Sequence, residues 1–381
     1  MRPASRYDTI ELSLIRQINQ LATAEAINLG IGEPNLGPDR ELRSMMERAA
    51  RETSWSYSAI PGTIETRNAI ARFLGSSVDP ESEICVTAGS EEALYALMQA
   101  WVDRGDEVLI PDPGFVAYPA LTTLAGGTPV RYPLSPDDWS IDIDALRERI
   151  SDRTKMVIVN SPSNPTGGVV PENQLRELAA MADEHDFLLV SDEVYREIHF
   201  GDRPPSLLDA GRNAVVVTSL SKSHALTGLR LGWIVASGEV MNLTRRAHHY
   251  MTTCASTYAQ KLAELILSDH AWNREWLDRV RRQFTIQRDV ASNAVRKHVS
   301  PRYVEPGGAF YIFVPVPTCD TVGLAKRMAT EDGVLAIPGI AFGEQGEGFL
   351  RISFASSEEK LNEGIARIGM ALDRMEVSER S

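Results

Sequence analysis

The stretch "TSLSKSHALTGLRLGW", Thr218–Trp233, decides how this chain is read. It continues the apolar run "AVVV" (214–217). It carries one lysine, Lys222, between Ser221 and Ser223, with Arg230 eight residues on. Only six of the 39 basic side chains in the chain are lysines. An apolar run of strand length that stops at a polar loop marks the end of a buried strand. Taken alone, a lysine there is as well read as a surface charge. Taken with its setting, it is a candidate reactive amine, because burial and nearby cations lower the pKa of an ammonium group.

Similar runs recur on the N-terminal side: "EVLIP" (107–111), "KMVIVN" (155–160) and "FLLVSD" (187–192). Helical patterns separate them, "FVAYPALTTLAG" after the first and "PENQLRELAAMADEHD" (171–186) after the second. Strands rich in Val, Leu and Ile without polar alternation are buried on both faces, as in a parallel sheet. Their spacing is about that of one βαβ unit. Near residue 273 the pattern changes. "WNREWLDRVRRQFTIQRDVASNAVRKH" (272–298) reads as one long amphipathic helix. Hairpin-like strands "GGAFYIFVPV" and "GFLRISFA" and a closing helix (357–375) follow. The expected fold is α/β. A large domain, residues 39–272, holds a mostly parallel sheet sandwiched by helices. A smaller α+β domain combines residues 1–38 and 273–381, with an N-terminal arm and the long helix as a bridge. The tail "MEVSERS" is expected to fray.

Composition narrows the function. No apolar run approaches the ~20 residues of a membrane helix, and the N-terminus lacks the apolar core of a signal peptide. A cytoplasmic protein without a membrane partner is expected. The net charge of −13 disfavours nucleic acid as the main partner. Cys85, Cys254 and Cys319 are few, odd in number and widely spaced, so neither a disulfide framework nor a cysteine metal site is expected. The seven histidines do not cluster with carboxylates at ligand spacing, and no metal is expected.

In open parallel sheets, ligands bind outside the carboxyl ends of the strands. The run 155–160 ends in "NSPSNPTGG", which offers Asn160 and Asn164. The run 187–192 ends in Asp192, with Tyr195 close behind, and the run 214–220 ends in Ser219, Ser221 and Lys222. Successive βαβ units bring these groups to one rim. Asn164 precedes a proline, so a turn role stays open for it. In "ICVTAGSEEALYALMQAW" (84–101), a strand, a Gly-Ser turn and a helix follow one another. The free amides of Gly89, Ser90 and Glu91 at the helix N-terminus form a phosphate seat, to which Arg230 adds a cation. A phosphate seat, a Schiff-base lysine and an aspartate partner for a pyridine nitrogen together imply pyridoxal 5'-phosphate.

At this point the chain resembles the fold-type I pyridoxal-phosphate enzymes of the aspartate aminotransferase class I/II group. The likeness covers nearly the whole chain. It rests on "INLGIGEPN" (27–35), "YSAIPGTIETRNAIARFL" (57–74), "TAGSEEAL", "DPGFVAY" (112–118), "NSPSNPTG", "SDEVY" (191–195), "SLSKSHALTGLRLGW", "IPGIAFG" (337–343) and "LRISFA". The resemblance implies that Lys222 binds the cofactor and moves a proton, while Asp192 pairs with the pyridinium nitrogen. Asn164 and Tyr195 would bond its phenolic oxygen, and Phe115 would stack on the ring, where relatives often carry Trp or Tyr. Ser219, Arg230 and the Gly89–Glu91 amides would bind phosphate. Tyr57 would reach the phosphate of a neighbouring subunit in a homodimer, with Thr257 at the same interface. Arg351 would clamp the substrate α-carboxylate beside Gly32, with Asn164 close by.

Glu91 departs from the pattern. Aspartate-specific relatives in the nearest subgroup tend to carry a lysine there. Two readings stand: a solvated acid that suits the helix dipole, or a group that disfavours acidic substrates. The implied activity is a ping-pong aminotransferase acting on an L-amino acid and a 2-oxo acid, and not strictly aspartate-specific. The alternative is another reaction on the same scaffold, β-eliminating C–S cleavage or a specialised cyclase or synthase. A DNA-binding regulator of this family would carry a winged helix ahead of the domain. The motifs begin near residue 27, and none is expected.

Overall fold

The Val-, Leu- and Ile-rich runs form a seven-stranded sheet in the computed structural model, which describes residues 4–8, 10–75, 77–208, 210 and 213–379. Its strands are β1 (Ile84–Thr87), β2 (Glu107–Asp112), β3 (Thr128–Pro133), β4 (Thr154–Asn160), β5 (Leu188–Asp192), β6 (Ala214–Ser219) and β7 (Gly232–Ala236). The order is β1-β7-β6-β5-β4-β2-β3. β7 alone runs opposite to the other six strands, pairing antiparallel with β1 and β6. The expected mostly parallel sheet is therefore present.

Alternate residues of each strand feed two separate cores. Leu109, Val157, Val159, Leu189 and Val216 face one side. Val108, Ile110, Met156, Ile158, Val190, Val215 and Val217 face the other. Each fully buried side chain of this kind contributes about 1.5–3 kcal/mol. Helices cover both faces, which is why the strands lack polar alternation. β3 was not legible in the sequence. It carries Pro129 and Pro133 and is only partly buried, and prolines are tolerated there because the strand lies at the sheet edge.

A three-stranded antiparallel sheet forms from β8 (Tyr311–Pro315), β9 (Ile337–Pro338) and β10 (Phe349–Ser353), in the order β9-β10-β8. The hairpin-like reading needs correction. β8 and β10 are antiparallel neighbours, but the helix Thr321–Thr330 and β9 lie between them in sequence. The N-terminal segment lies against this sheet. Ile27–Asn28 pairs in parallel with Val334–Leu335, and Ser353 N donates to Leu29 O at 2.7 Å. The long helix spans His270–His298, capped by Asp269, whose carboxylate accepts from Trp272 N at 3.0 Å. The closing helix, Glu358–Glu379, includes most of the tail expected to fray; Arg380 and Ser381 lie outside the described residues. Among the described residues, no helix is long and apolar enough to cross a membrane.

Candidate active site

A cavity of about 180 Å³ opens at the carboxyl ends of β4, β5 and β6. Gly32, Ser90, Phe115, Asn164, Asp192, Tyr195, Lys222 and Arg351, all singled out in the sequence, line it. The register explains the convergence. Asn160 sits opposite Asp192, so the last residues of β4 and β5 stand side by side, and Asp192 is opposite Val217, two residues before the end of β6.

Asp192 forms the floor. It is 4 % exposed, and its Oδ2 accepts from Tyr118 Oη at 2.8 Å. Burial pushes its carboxyl up to about 6, and the Tyr118 bond only partly opposes this. Asp192 is thus a buried acid suited to a cationic partner. Lys222 stands on the short helix Leu220–Ser223 that follows β6. Its Nζ donates to Gly32 O at 2.7 Å and lies 5.9 Å from the centroid of the Tyr195 ring. Burial lowers its pKa to about 8; Glu33 opposes the shift, and the Arg351 and Arg230 cations reinforce it. A substantial share of the amine is therefore neutral near pH 8 and able to accept a proton.

Arg351 lies on β10 and is 2 % exposed. Its Nη1 donates to Asn164 Oδ1 at 2.9 Å and its Nη2 to Gly30 O at 2.5 Å, while its Nε has no partner. The guanidinium stacks on Tyr311 at 4.5 Å and on Phe342 at 4.8 Å. Burial pulls its pKa below the ordinary value; Tyr311 and Tyr195 oppose this. Among the described residues no carboxylate pairs with it. A buried fork of donors without an anion is chemically suited to a carboxylate.

Beside the cavity, the helix Ser90–Trp101 begins at Gly89 with no capping side chain. Its first amides are left free, unlike those of the helices capped by Asp39, Thr63 or Ser256. Gly89 has φ +91°, and a Cβ there would stand 2.5 Å from Arg230 Nη2. Gly232, at the start of β7, is equally confined. A Cβ on it would meet Gly89 C and Ser90 N at 2.7 Å and Thr218 O at 2.8 Å. Ser219 is buried at the end of β6, its Oγ accepting from Ser221 N at 3.3 Å. Free amides, a hydroxyl and an exposed guanidinium together suit a phosphate.

Other predicted residues do not join the cavity. Glu91 points to solvent from the first turn of its helix. Tyr57 is 85 % exposed on the loop before Gly62, and Thr257 begins the helix Thr257–Ser268. Sequence reasoning missed Tyr118, Tyr311 and Ile15. Tyr118 lies one helical turn after Phe115, and their rings meet edge to face at 5.5 Å. Tyr311 bonds Tyr195 at 2.9 Å between hydroxyls. It is the diagonal neighbour of Arg351 on one face of the β8–β10 pair, since Arg351 is opposite Phe313. That signal becomes readable only once the register is known. Ile15 brings the N-terminal helix Leu14–Gln20 to the cavity wall.

Residues 24–368 match the family described as "Aminotransferase class I and II". The chain is 34 % identical to an aspartate aminotransferase of Pyrococcus abyssi, over 99 % of this chain and 98 % of that one. It is 33 % identical to aromatic-amino-acid aminotransferase 2 of Thermococcus litoralis, over 99 % and 98 %. The structure of an aspartate aminotransferase from Thermus thermophilus with maleate superposes with a TM-score of 0.90 at 32 % identity, covering 98 % of this chain and all of that one. This chain belongs to the aminotransferase class I and II family and is a transaminase.

Proposed function

We propose that this transaminase holds pyridoxal phosphate on Lys222 and passes an amino group, in two half-reactions, from an L-amino acid to a 2-oxo acid. The observation that carries the proposal is the buried Arg351 fork. It lacks an anion and lines the same cavity as a Lys222 amine whose pKa is lowered to about 8. The cavity also fits the cofactor. Asp192 offers a buried carboxylate to a ring nitrogen, and the uncapped helix with Arg230 and Ser219 offers donors to a phosphate. When bound, pyridoxal phosphate supplies an electron-withdrawing ring that stabilises negative charge at the substrate α-carbon.

The rest is the work of the chain's own groups. Arg351, with Gly32 and Asn164 at its side, orients the substrate by its α-carboxylate. The Lys222 amine would take the proton from the substrate α-carbon and deliver it to the cofactor C4′, two bonds away. Asp192 keeps its charge at the ring nitrogen, Phe115 covers a ring face, and Asn164 and Tyr195 serve the phenolic oxygen. Residues 39–272 act as one domain. Residues 1–38 and 273–381 act as a second, which closes over substrate and excludes water. Trp55 and Tyr57, 78 % and 85 % exposed, support an obligate homodimer in which Tyr57 reaches the neighbouring phosphate and Thr257 sits at the interface.

The test is to titrate the cofactor-loaded protein with single amino acids, without an acceptor, and to follow the absorption spectrum. One equivalent of 2-oxo acid per site and no ammonia are expected. Repeated release of ammonia and pyruvate would establish β-elimination instead, a reading the names of the relatives do not favour.

Glu91 bears on donor choice. It occupies the first turn of the phosphate-seat helix, where its charge repels a second carboxylate. Glu91→Lys is expected to raise kcat/KM for aspartate relative to alanine by about five-fold, the scale of an exposed charge reversal. An unchanged ratio would make Glu91 a solvated acid and nothing more.

A further inference from the structure

Two residues beyond Lys222, His224 is fully buried and does not line the cavity. Its Nδ1 lies 2.9 Å from Ser223 Oγ and its Nε2 2.8 Å from Asn273 Oδ1. An amide oxygen only accepts, so Nε2 carries the proton and donates to Asn273. Nδ1 then accepts from the Ser223 hydroxyl. This arrangement uses the neutral ring, and burial holds His224 down at about 4. The ring is parallel to Trp276, with centroids 6.4 Å apart, and Trp276 Nε1 donates to Ser223 O at 3.0 Å. Ser223 is therefore held at its hydroxyl and at its carbonyl by one connected cluster. Asn273 and Trp276 belong to the first two turns of the long helix.

A phenylalanine at 224 would fill much the same space and keep the ring contacts. What imidazole adds is the two directed bonds. A buried polar cluster with all partners in place fixes one geometry, whereas removing one member leaves the others unbonded.

We propose that His224 is a positioning residue for Lys222. It ties the lysine-bearing turn, Leu220–Ser223, to the start of the long helix, and so fixes where the amine stands. This rests on the reading of Lys222 as the reactive amine. The Nζ position opposite Gly32 O is set by the turn beneath it. Loosening the turn admits water, and the titration of the amine climbs towards that of an ordinary lysine.

The test compares wild type, His224→Phe, Asn273→Ala and the double variant, all full length. Cyanate labels Lys222 in its neutral form, so carbamylation of cofactor-free protein, read by peptide mass across pH, reports its titration. Wild type is expected to titrate near the value of about 8. Each single variant should raise that midpoint by about half a unit or more, and the double variant by no more than the larger single shift. In the loaded enzyme, kcat should fall about ten-fold with KM for the amino acid within about two-fold. A lower thermal midpoint with an unchanged Lys222 titration and unchanged kcat would reduce His224 to a packing residue and overturn the proposal. If His224→Phe does not fold, Asn273→Ala leaves the ring stack in place and decides the matter alone. Borohydride reduction of the loaded wild type serves as a separate control. If it fixes the cofactor to a lysine other than Lys222, the underlying reading fails, and this inference with it.

Discussion

Lys222→Ala is expected to lower the rate of amino transfer by about 10⁴-fold or more, measured in single turnovers with alanine as donor. The loss is large because the cavity offers no second base of the right kind. Asp192 is occupied by its bond with Tyr118. Burial raises the Tyr195 hydroxyl well above the ordinary tyrosine value, and Tyr118 likewise. Asp192 is raised only to about 6 and is already bonded to Tyr118, whereas the Lys222 amine, lowered to about 8, is free to take a proton. The alanine variant leaves a gap near Gly32 O, and added ethylamine should restore part of the rate in proportion to its concentration. A loss of less than about 100-fold would move the proton-transfer role to another group, with Tyr195 the nearest candidate.

Arg351→Ala should reduce kcat/KM for amino acids by about 10²–10³-fold, the cost of leaving one partner of a buried charge pair alone. The decisive comparison is a donor amine that lacks the carboxylate. Its kcat/KM should change by less than about three-fold, because it never used the fork. Equal losses on both substrates would show that Arg351 only supports the cavity wall, through Asn164, Gly30 and the rings of Tyr311 and Phe342.

Much of this candidate site is legible in the sequence. The residues at the ends of β4, β5 and β6 follow from strand patterning, because each strand ends where its apolar run ends. The phosphate seat follows from a strand–glycine–helix order. What could not be read depends on pairings between distant segments. β7 enters the sheet against the direction of its neighbours, and no local pattern marks that reversal. Tyr311 reaches Arg351 only through the β8–β10 register, and Ile15 reaches the cavity only through docking of the N-terminal helix. No sequence pattern singles out His224. Its polar role depends on Asn273, which is brought beside it by the packing of the long helix. Tyr57 is exposed, and the role proposed for it depends on a second copy of the chain.

The confinement of Gly232 links the two ends of the site. At this position a Cβ would stand within 2.8 Å of both the backbone at Gly89 and Ser90, the proposed phosphate seat, and the backbone at Thr218, which leads to Lys222. The main chain of Gly232, with no room for a side chain, thus lies between the proposed anion seat and the strand that leads to the amine. Side chains around the rim can vary without altering that spacing. On the proposed function, substitutions at Ile15 and Phe115, which line the cavity, would alter donor preference while the span from the proposed phosphate seat to Lys222 stays constant.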